Sequence, residues 1–310
     1  MSDAVLVTGA AGFAGGHLLE SLAGSGDIVG WSRSQPLAEI ATRARWQSVD
    51  LRDRDRVRAI VRDLRPRAVY HCAGLPYVAG SWNDSAASLE TNAIGTHHLL
   101  DALRRADCPC RVLVVGSATV YAASVAPLTE DSPLAPSSPY GRSKLAQELI
   151  GLRACAEEGV EIVATRTFNH TGPRQTPAFV SPSIARQIAL IERGAAEPVI
   201  KVGNLDAQRD LTDVRDVVRA YAALMKNGRP GHVYNVASGV AHPIRSLLEG
   251  LIGRARRQVR IEIDPARLRA HDTSIVVGDA TRLRSATGWE PEISFDQMLD
   301  DLLDYWRSWA

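Results

Sequence analysis

Three side chains in this sequence have the types and spacing for proton chemistry at a carbinol or carbonyl oxygen: Ser117, Tyr140 and Lys144. Tyr140 and Lys144 lie in the run Ser138-Pro139-Tyr140-Gly141-Arg142-Ser143-Lys144. Ser138 is a good helix N-cap and Pro139 suits the first helical position, so the pair falls at i and i+4 on one helix face. A phenol, with a reference pKa of about 10, exchanges its proton poorly at neutral pH, and a nearby ammonium lowers that value. The pair can then serve as acid or base. A surface tyrosine beside a solvated lysine would give the same letters. The chain has only three lysines, however, Lys144, Lys201 and Lys226, which makes the placement informative. Ser117 follows the apolar run 111–115, just past a strand end, where α/β sheets gather their ligands. Its hydroxyl could bond the oxygen that Tyr140 serves, or merely cap a turn.

A second constellation can hold a dinucleotide. Gly9, Gly12 and Gly15 follow a short apolar run and open a helical pattern. Gly9 permits the tight turn, Gly12 lets backbone approach a pyrophosphate, and Gly15 allows close helix packing. Free N–H groups and the dipole at the helix start favour phosphate. The end of the next strand, Trp31-Ser32-Arg33, lacks the acid that would bind a ribose 2′-hydroxyl. Ser32 and Arg33 can donate to a 2′-phosphate instead, so NADP(H) is favoured and NAD(H) stays possible. An ordinary exposed arginine would read the same way. Asp50 and Leu51 fall at the third strand end, placed to meet an adenine ring.

These side chains need a scaffold, and the first half supplies one. Strand-like runs at 4–7, 27–31, 45–49, 68–71, 111–115 and 161–166 alternate with helical patterns at 12–23, 53–64, 89–105 and 139–158. Such alternation predicts βαβ units in a doubly wound parallel sheet of Rossmann type. Beyond residue 167 the alternation loosens into a smaller α/β lobe, with strands at 232–237 and 259–263 and helices at 279–287 and 295–306.

Composition excludes several classes. The 310 residues are 45% apolar and 23% charged, which fits a globular chain of one large or two modest domains. A net charge of +1 gives no bulk reason to expect nucleic acid or an acidic membrane as partner. No apolar run approaches the roughly 20 residues of a membrane helix. The opening residues do not read as a signal peptide. Four cysteines (Cys72, Cys108, Cys110, Cys155) suit a reducing cytoplasm rather than a disulfide scaffold. Cys108-Pro109-Cys110 lacks a second ligand pair for a metal, and the adjacent His97 and His98 make a poor chelate. His170 either lines a pocket or packs.

The strings TGAAGFAG (8–15), VDLRD (49–53), HCAG (71–74), ETNAIGTHHLLDALR (90–104), GSATVY (116–121), YGRSK (140–144) and RTFNHTGPRQ (166–175) stand together in this order. The chain thereby resembles the extended short-chain dehydrogenase/reductase family, the NAD(P)-dependent sugar-nucleotide epimerases, dehydratases and reductases. The resemblance runs through nearly the whole chain. It implies that Ser117, Tyr140 and Lys144 are the catalytic triad, with Lys144 also on the nicotinamide ribose. It adds Phe13, Ala14, Ala73 and Gly74 to the cofactor set. It implies Asn169 on the substrate diphosphate, Arg209 and Arg269 on the nucleotide phosphates, Asp272 near the nucleotide ribose, and Ser81 at the hexose. It also implies a cofactor domain over 1–167, with segments returning from about 209–237, and a substrate lobe over 168–310. The helices at 89–105 and 139–158 match those that family members pair into a four-helix dimer interface. Leu89, Ala93, Thr96, Leu100 and Leu103 give partial helical spacing there, which a core contact would also explain.

Three reactions share this scaffold. Related dehydratases carry an acid directly after the Ser or Thr of the triad, where this chain has Ala118 and then Thr119. The second half looks most like GDP-6-deoxy-4-keto-mannose reductases. The expectation is therefore NADPH-dependent reduction of a nucleotide-linked 4-keto-6-deoxyhexose. The alternative is a nucleotide-sugar 4-epimerase with tightly bound NAD. A non-catalytic NADP-sensing protein is the remaining reading, and the presence of both Tyr140 and Lys144 speaks against it.

Overall fold

A computed structural model describes residues 3–76, 78–267 and 274–309. Six strands alternate with helices as the sequence predicts: β1 (Val5–Thr8), β2 (Ile28–Ser32), β3 (Arg45–Ser48), β4 (Ala68–His71), β5 (Arg111–Ser117) and β6 (Glu161–Thr167). Between them run α1 (Phe13–Ser21), α2 (Arg54–Leu64), α3 (Val78–Asn83), α4 (Ser85–Leu89), α5 (Gly95–Arg105) and α6 (Pro139–Glu158). Then follow β7 (Asn169–Thr171), α7 (Val180–Glu192), β8 (Val199–Val202), β9 (Gln208–Asp213), α8 (Val214–Asn227) and β10 (Val233–Val236). The chain continues through β11 (Ala241–Pro243), α9 (Ile244–Gly253), β12 (Arg260–Ile263), β13 (Ile275–Val276), α10 (Thr281–Thr287) and α11 (Phe295–Trp309).

The main sheet has seven parallel strands in the order β10-β6-β5-β4-β1-β2-β3. Strand order reverses on either side of β1, so the crevice at the carboxyl ends of β1 and β4 is the natural ligand position. Both faces are covered, because successive side chains alternate. Val5 and Val7 pack under α1 and α8, while Leu6 joins the opposite layer with α2 and α5. A third cluster, built from α7, α9 and α11, is the core of the second lobe. That lobe carries a sheet of β11, β9 and β13 with β7 alongside β9, and a β12–β8 pair.

Helix α6 begins as its sequence requires. Ser138 Oγ accepts from the Gly141 N–H at 3.0 Å, and Pro139 occupies the first turn. Gly159 closes it with φ +70°. Its middle is tied to β6 by a buried ion pair, with Glu148 accepting from Arg166 Nε and Nη2 at 2.9 and 2.6 Å.

The pattern at 89–105 differs from the single helix expected. Residues Glu90–Ile94 form one π-helical turn between α4 and α5. Such turns occur where a side chain must be re-aimed, and here Asn92 points to Leu75 and Ser143. The stripe Ala93, Thr96, Leu100 and Leu103 is buried in the core, and only Leu89 of that set is exposed.

Candidate active site

The glycine turn has the geometry that dinucleotide binding demands. Gly9 has φ +68°, and a Cβ there would lie 2.7 Å from Ala73 Cα. A Cβ on Gly15 would overlap Gly9 O. No side chain caps the start of α1 at Gly12, so the first-turn N–H groups at Phe13 and Ala14 face outward. The cleft in front is lined by Ala11, Gly12, Phe13, Leu37 and Arg174. Backbone donors at an uncapped helix start, in a cradle that any Cβ would fill, fit a pyrophosphate.

At the end of β2, Ser32 Oγ accepts from the Ser34 N–H at 3.1 Å, and Arg33 is exposed with no ion pair among the described residues. Asp50 is held by Arg52, whose Nη2 lies 2.7 Å away, and its carboxyl sits well down at about 2 through those hydrogen bonds, with Arg33 adding to the effect. Leu51 is buried against α5, and its carbonyl accepts from His98 Nδ1 at 2.9 Å. Ala73 donates its N–H to Thr8 Oγ1 at 3.2 Å. A Cβ on Gly74 would stand 2.8 Å from Asn92 Oδ1 and 3.9 Å from Lys144 Nζ. Lys144 is thus close to Gly74, at the edge of the candidate cofactor crevice.

The triad assembles at the carboxyl end of β5. Ser117 is its last residue and Tyr140 is in the first turn of α6. Packing of these elements is close: a Cβ on Gly141 would lie 2.6 Å from Thr119 O. Ser117 Oγ accepts from the Thr119 hydroxyl at 3.0 Å and from its N–H at 3.3 Å. Lys144 Nζ donates to Val115 O at 2.6 Å and to Gln147 Oε1.

One expectation needs correction here. Lys144 is not among the groups that shift the Tyr140 pKa. Burial raises the phenol, and only the Ser117 hydroxyl pulls it back. The ammonium is directed at Val115 O and Gln147 instead, and burial brings its own pKa down to about 8.

The substrate set is only partly assembled. Ser81 is buried beside Tyr140, but its hydroxyl accepts from the Tyr140 N–H at 3.1 Å and donates to Val78 O at 2.7 Å. An orphan N–H in the first turn of α6 needs an acceptor, and this hydroxyl supplies it. Asn169 opens β7 and is exposed. Arg209 lies on β9 and donates to Gln208 O at 2.7 Å. Arg269 and Asp272 lie outside the described residues. His170 stacks flat on Phe13, with ring centres 5.7 Å apart, and so packs the glycine turn against β7.

Sequence reasoning missed Thr119, Asn92 and Gln147. Thr119 and Gln147 each contact a triad side chain. For Thr119 and Gln147 the only available signal was a polar residue within three positions of Ser117 or Lys144, and Asn92 had none.

Residues 6–302 match the GDP-mannose 4,6 dehydratase family. The chain belongs to this family. It is 38% identical over 311 residues to GDP-6-deoxy-D-mannose reductase of Pseudomonas aeruginosa, covering 99% of this chain and 98% of that one. Its fold superposes on the Pseudomonas aeruginosa structure described as RMD complexed with NADPH, with TM-score 0.87 and 35% identity over the full length of both chains. It also superposes on UDP-glucose 4-epimerase of Thermotoga maritima with UDP-glucose, with TM-score 0.88 and 26% identity over 98% of this chain and 99% of that one. Reductases, dehydratases and epimerases therefore share this scaffold, and the residues beside Ser117 have to separate them. No carboxylate follows Ser117: Ala118 is buried and Thr119 is spent on Ser117.

Proposed function

We propose that this chain reduces a nucleotide-linked 4-keto-6-deoxyhexose with NADPH, the substrate being GDP-4-keto-6-deoxy-D-mannose. The observation that carries the reading is the Ser117 hydroxyl, fixed by Thr119 beside Tyr140, whose pKa burial raises, with no carboxylate bonded to Ser117 or Thr119 among the described residues. The 38% identity to a GDP-6-deoxy-D-mannose reductase supports the same substrate.

When bound, reduced nicotinamide supplies a hydride to the carbonyl carbon. The rest falls to the chain. The first-turn amides of α1 take the pyrophosphate. Ser32 and Arg33 take the 2′-phosphate. The Ser117 hydroxyl donates to the sugar carbonyl oxygen, and Tyr140 gives that oxygen its phenolic proton. The Lys144 ammonium stabilises the phenolate left behind. Reduction needs Tyr140 to begin protonated, and its raised pKa provides that state. Asn169, Arg209, Arg269 and Asp272 complete the nucleotide-sugar site in this proposal, which makes residues 168–310 mainly the substrate lobe, apart from α8 and β10 of the cofactor domain.

We also propose a homodimer through α4, α5 and α6. Leu89 on α4, Ile94 at the end of the π-turn and Leu149 on α6 expose apolar side chains on these packed elements. Leu149→Arg should then lower the solution mass from two chains to one; an unchanged mass would refute this interface.

An epimerase reading draws on the likeness to UDP-glucose 4-epimerase. A panel of nucleotide sugars separates the two. A reductase consumes added NADPH one for one, and only with the 4-keto sugars. An epimerase interconverts hexoses with no cofactor added, and that outcome would replace the proposal.

A further inference from the structure

Lys144 is anchored from behind by a side chain on its own helix. Gln147, fully buried one turn along α6, receives one Lys144 proton on Oε1. A second goes to Val115 O at 2.6 Å. An ammonium has three donors, so one N–H remains for the side where Gly74 and the cofactor crevice lie.

The Gln147 amide can take only one orientation. Its Nε2 lies 3.1 Å from Thr96 Oγ1. Thr96 has a single hydroxyl proton, which goes to Asn92 O at 2.6 Å, so its oxygen must accept from Gln147. The same oxygen accepts from His71 Nε2 at 2.7 Å. His71 therefore carries its proton on Nε2. Its Nδ1 accepts from the Thr8 hydroxyl at 2.7 Å, and Thr8 Oγ1 in turn accepts from the Ala73 N–H at 3.2 Å. Thr8, His71, Thr96 and Gln147 are all fully buried. Every donor in this chain of bonds has one direction. Flipping the amide would set its NH₂ against the ammonium and a carbonyl oxygen against an oxygen with no proton to give.

We propose that Gln147 is a positioning residue for Lys144, its Oε1 locked by Thr96 so that it holds the ammonium and aims the remaining N–H at the cofactor and Tyr140. The line of bonds also joins the three segments that meet the dinucleotide: the glycine turn through Thr8, the β4 end through Ala73, and α6 through Lys144. This inference rests on the catalytic reading of Lys144 given above.

The consequence is electrostatic as well as geometric. Burial drives the Lys144 pKa down, and a carbonyl-type acceptor favours the charged form against that pressure. The other titratable groups facing Lys144 are His71, held neutral by burial, and Cys72, whose thiol burial pushes up to about 12. Tyr140 lies one turn earlier on the same helix and stays protonated. Arg166 on β6 is committed to Glu148, while the π-turn and α5 present only neutral Asn92 and Thr96. Gln147 is thus the one adjustable support of the ammonium among the described side chains.

With three lysines in the chain, protein carrying ¹³Cε-lysine gives three signals, and the titration of Lys144 can be followed directly without substrate or cofactor. Lys144→Met assigns its signal. In Gln147→Met, which keeps the volume and loses the acceptor, the Lys144 midpoint should fall by about one unit, as loss of a hydrogen bond to a charged group implies. In Gln147→Glu it should rise, while Lys201 and Lys226 stay in place. In turnover, a fall from about 8 to about 7 would lower kcat of Gln147→Met about fivefold at pH 8 and hardly at pH 6, with KM for the sugar unchanged. If Gln147→Met does not fold, the upward shift in Gln147→Glu decides alone. A Lys144 midpoint that is the same in the native protein and the folded variants overturns the proposal. Since the titration needs no turnover, it stands even if the protein reduces no keto sugar.

Discussion

Thr119 gives Ser117 two hydrogen bonds, one from its hydroxyl at 3.0 Å and one from its backbone N–H at 3.3 Å. A serine oxygen has two acceptor positions, and both are taken. The Ser117 proton is therefore left for the side of the Tyr140 phenol, whose pKa it pulls down, and in the proposed reaction it turns to the sugar carbonyl oxygen. Ser117→Ala should lower kcat roughly 10² to 10³-fold, the usual loss for one preorganised donor to a developing oxyanion. Thr119→Val removes only the hydroxyl bond and should cost about tenfold. Steady-state kinetics with the keto sugar checks both; a Thr119→Val enzyme at native rate would show that Ser117 orients itself.

The reaction also has a pH signature. Tyr140 must hold its proton and Lys144 must stay charged. Burial raises the first pKa and lowers the second to about 8. Lys144 therefore fails first as pH rises. A profile of kcat/KM for the sugar in free enzyme should be flat through neutrality and fall above about 8. A limb that begins only above pH 10 would exclude Lys144 as the limiting group.

Stability should respond to acid through buried histidines. Burial lowers His17 to about 4 and His71 to about 3, from the usual imidazole value of about 6.5. His71 uses the neutral ring, accepting a Thr8 proton on Nδ1, and for His17 burial outweighs the Pro173 carbonyl that accepts from Nε2. The unfolded chain binds these protons at higher pH than the native one does. Stability is therefore full above about 6.5 and is lost as pH falls toward 4, at about 1.4 kcal/mol per unit for each histidine. Melting curves from pH 7 to pH 5 should show Tm falling steadily, and a His17→Gln variant should show a shallower fall. A Tm independent of pH in this range would contradict the burial of both rings.

In the proposed site, cofactor choice rests on Arg33, exposed just past the end of β2 with no ion pair among the described residues. Arg33→Ala should raise KM for NADPH about tenfold, the value of one charge-assisted hydrogen bond, and leave KM for NADH unchanged. Equal changes for both cofactors would mean that the arginine does not touch a 2′-phosphate.

Much of this was legible from letters alone because local rules and tertiary demand agree. Val5 and Val7 against Leu6 give a strand buried on both faces, and Ser138-Pro139 writes the start of α6. Gly9 and Gly15 are glycines because Ala73 and the Gly9 carbonyl leave no room for a Cβ. The failures share a cause too. The π-turn at Glu90–Ile94 is a tertiary adjustment with no helical period of its own. The direction of the Lys144 ammonium depends on Val115 O and Gln147, and neither the partner strand nor the amide orientation is written in a spacing of four. The hydrogen bond from the Tyr140 N–H to Ser81, spanning 59 positions, is likewise a tertiary contact that no local pattern writes.

The central claim is that Tyr140 protonates a sugar oxygen while the adjoining carbon takes a hydride from NADPH. The most direct measurement uses NADPH deuterated at the transferring position of nicotinamide C4, with GDP-4-keto-6-deoxy-D-mannose, and reads the product by mass and NMR. One deuterium per molecule at sugar C4, with oxidised cofactor released in equal amount and both lost in Tyr140→Phe, is the result expected. A C4 epimer free of deuterium, formed while the added NADPH stays reduced, would contradict it.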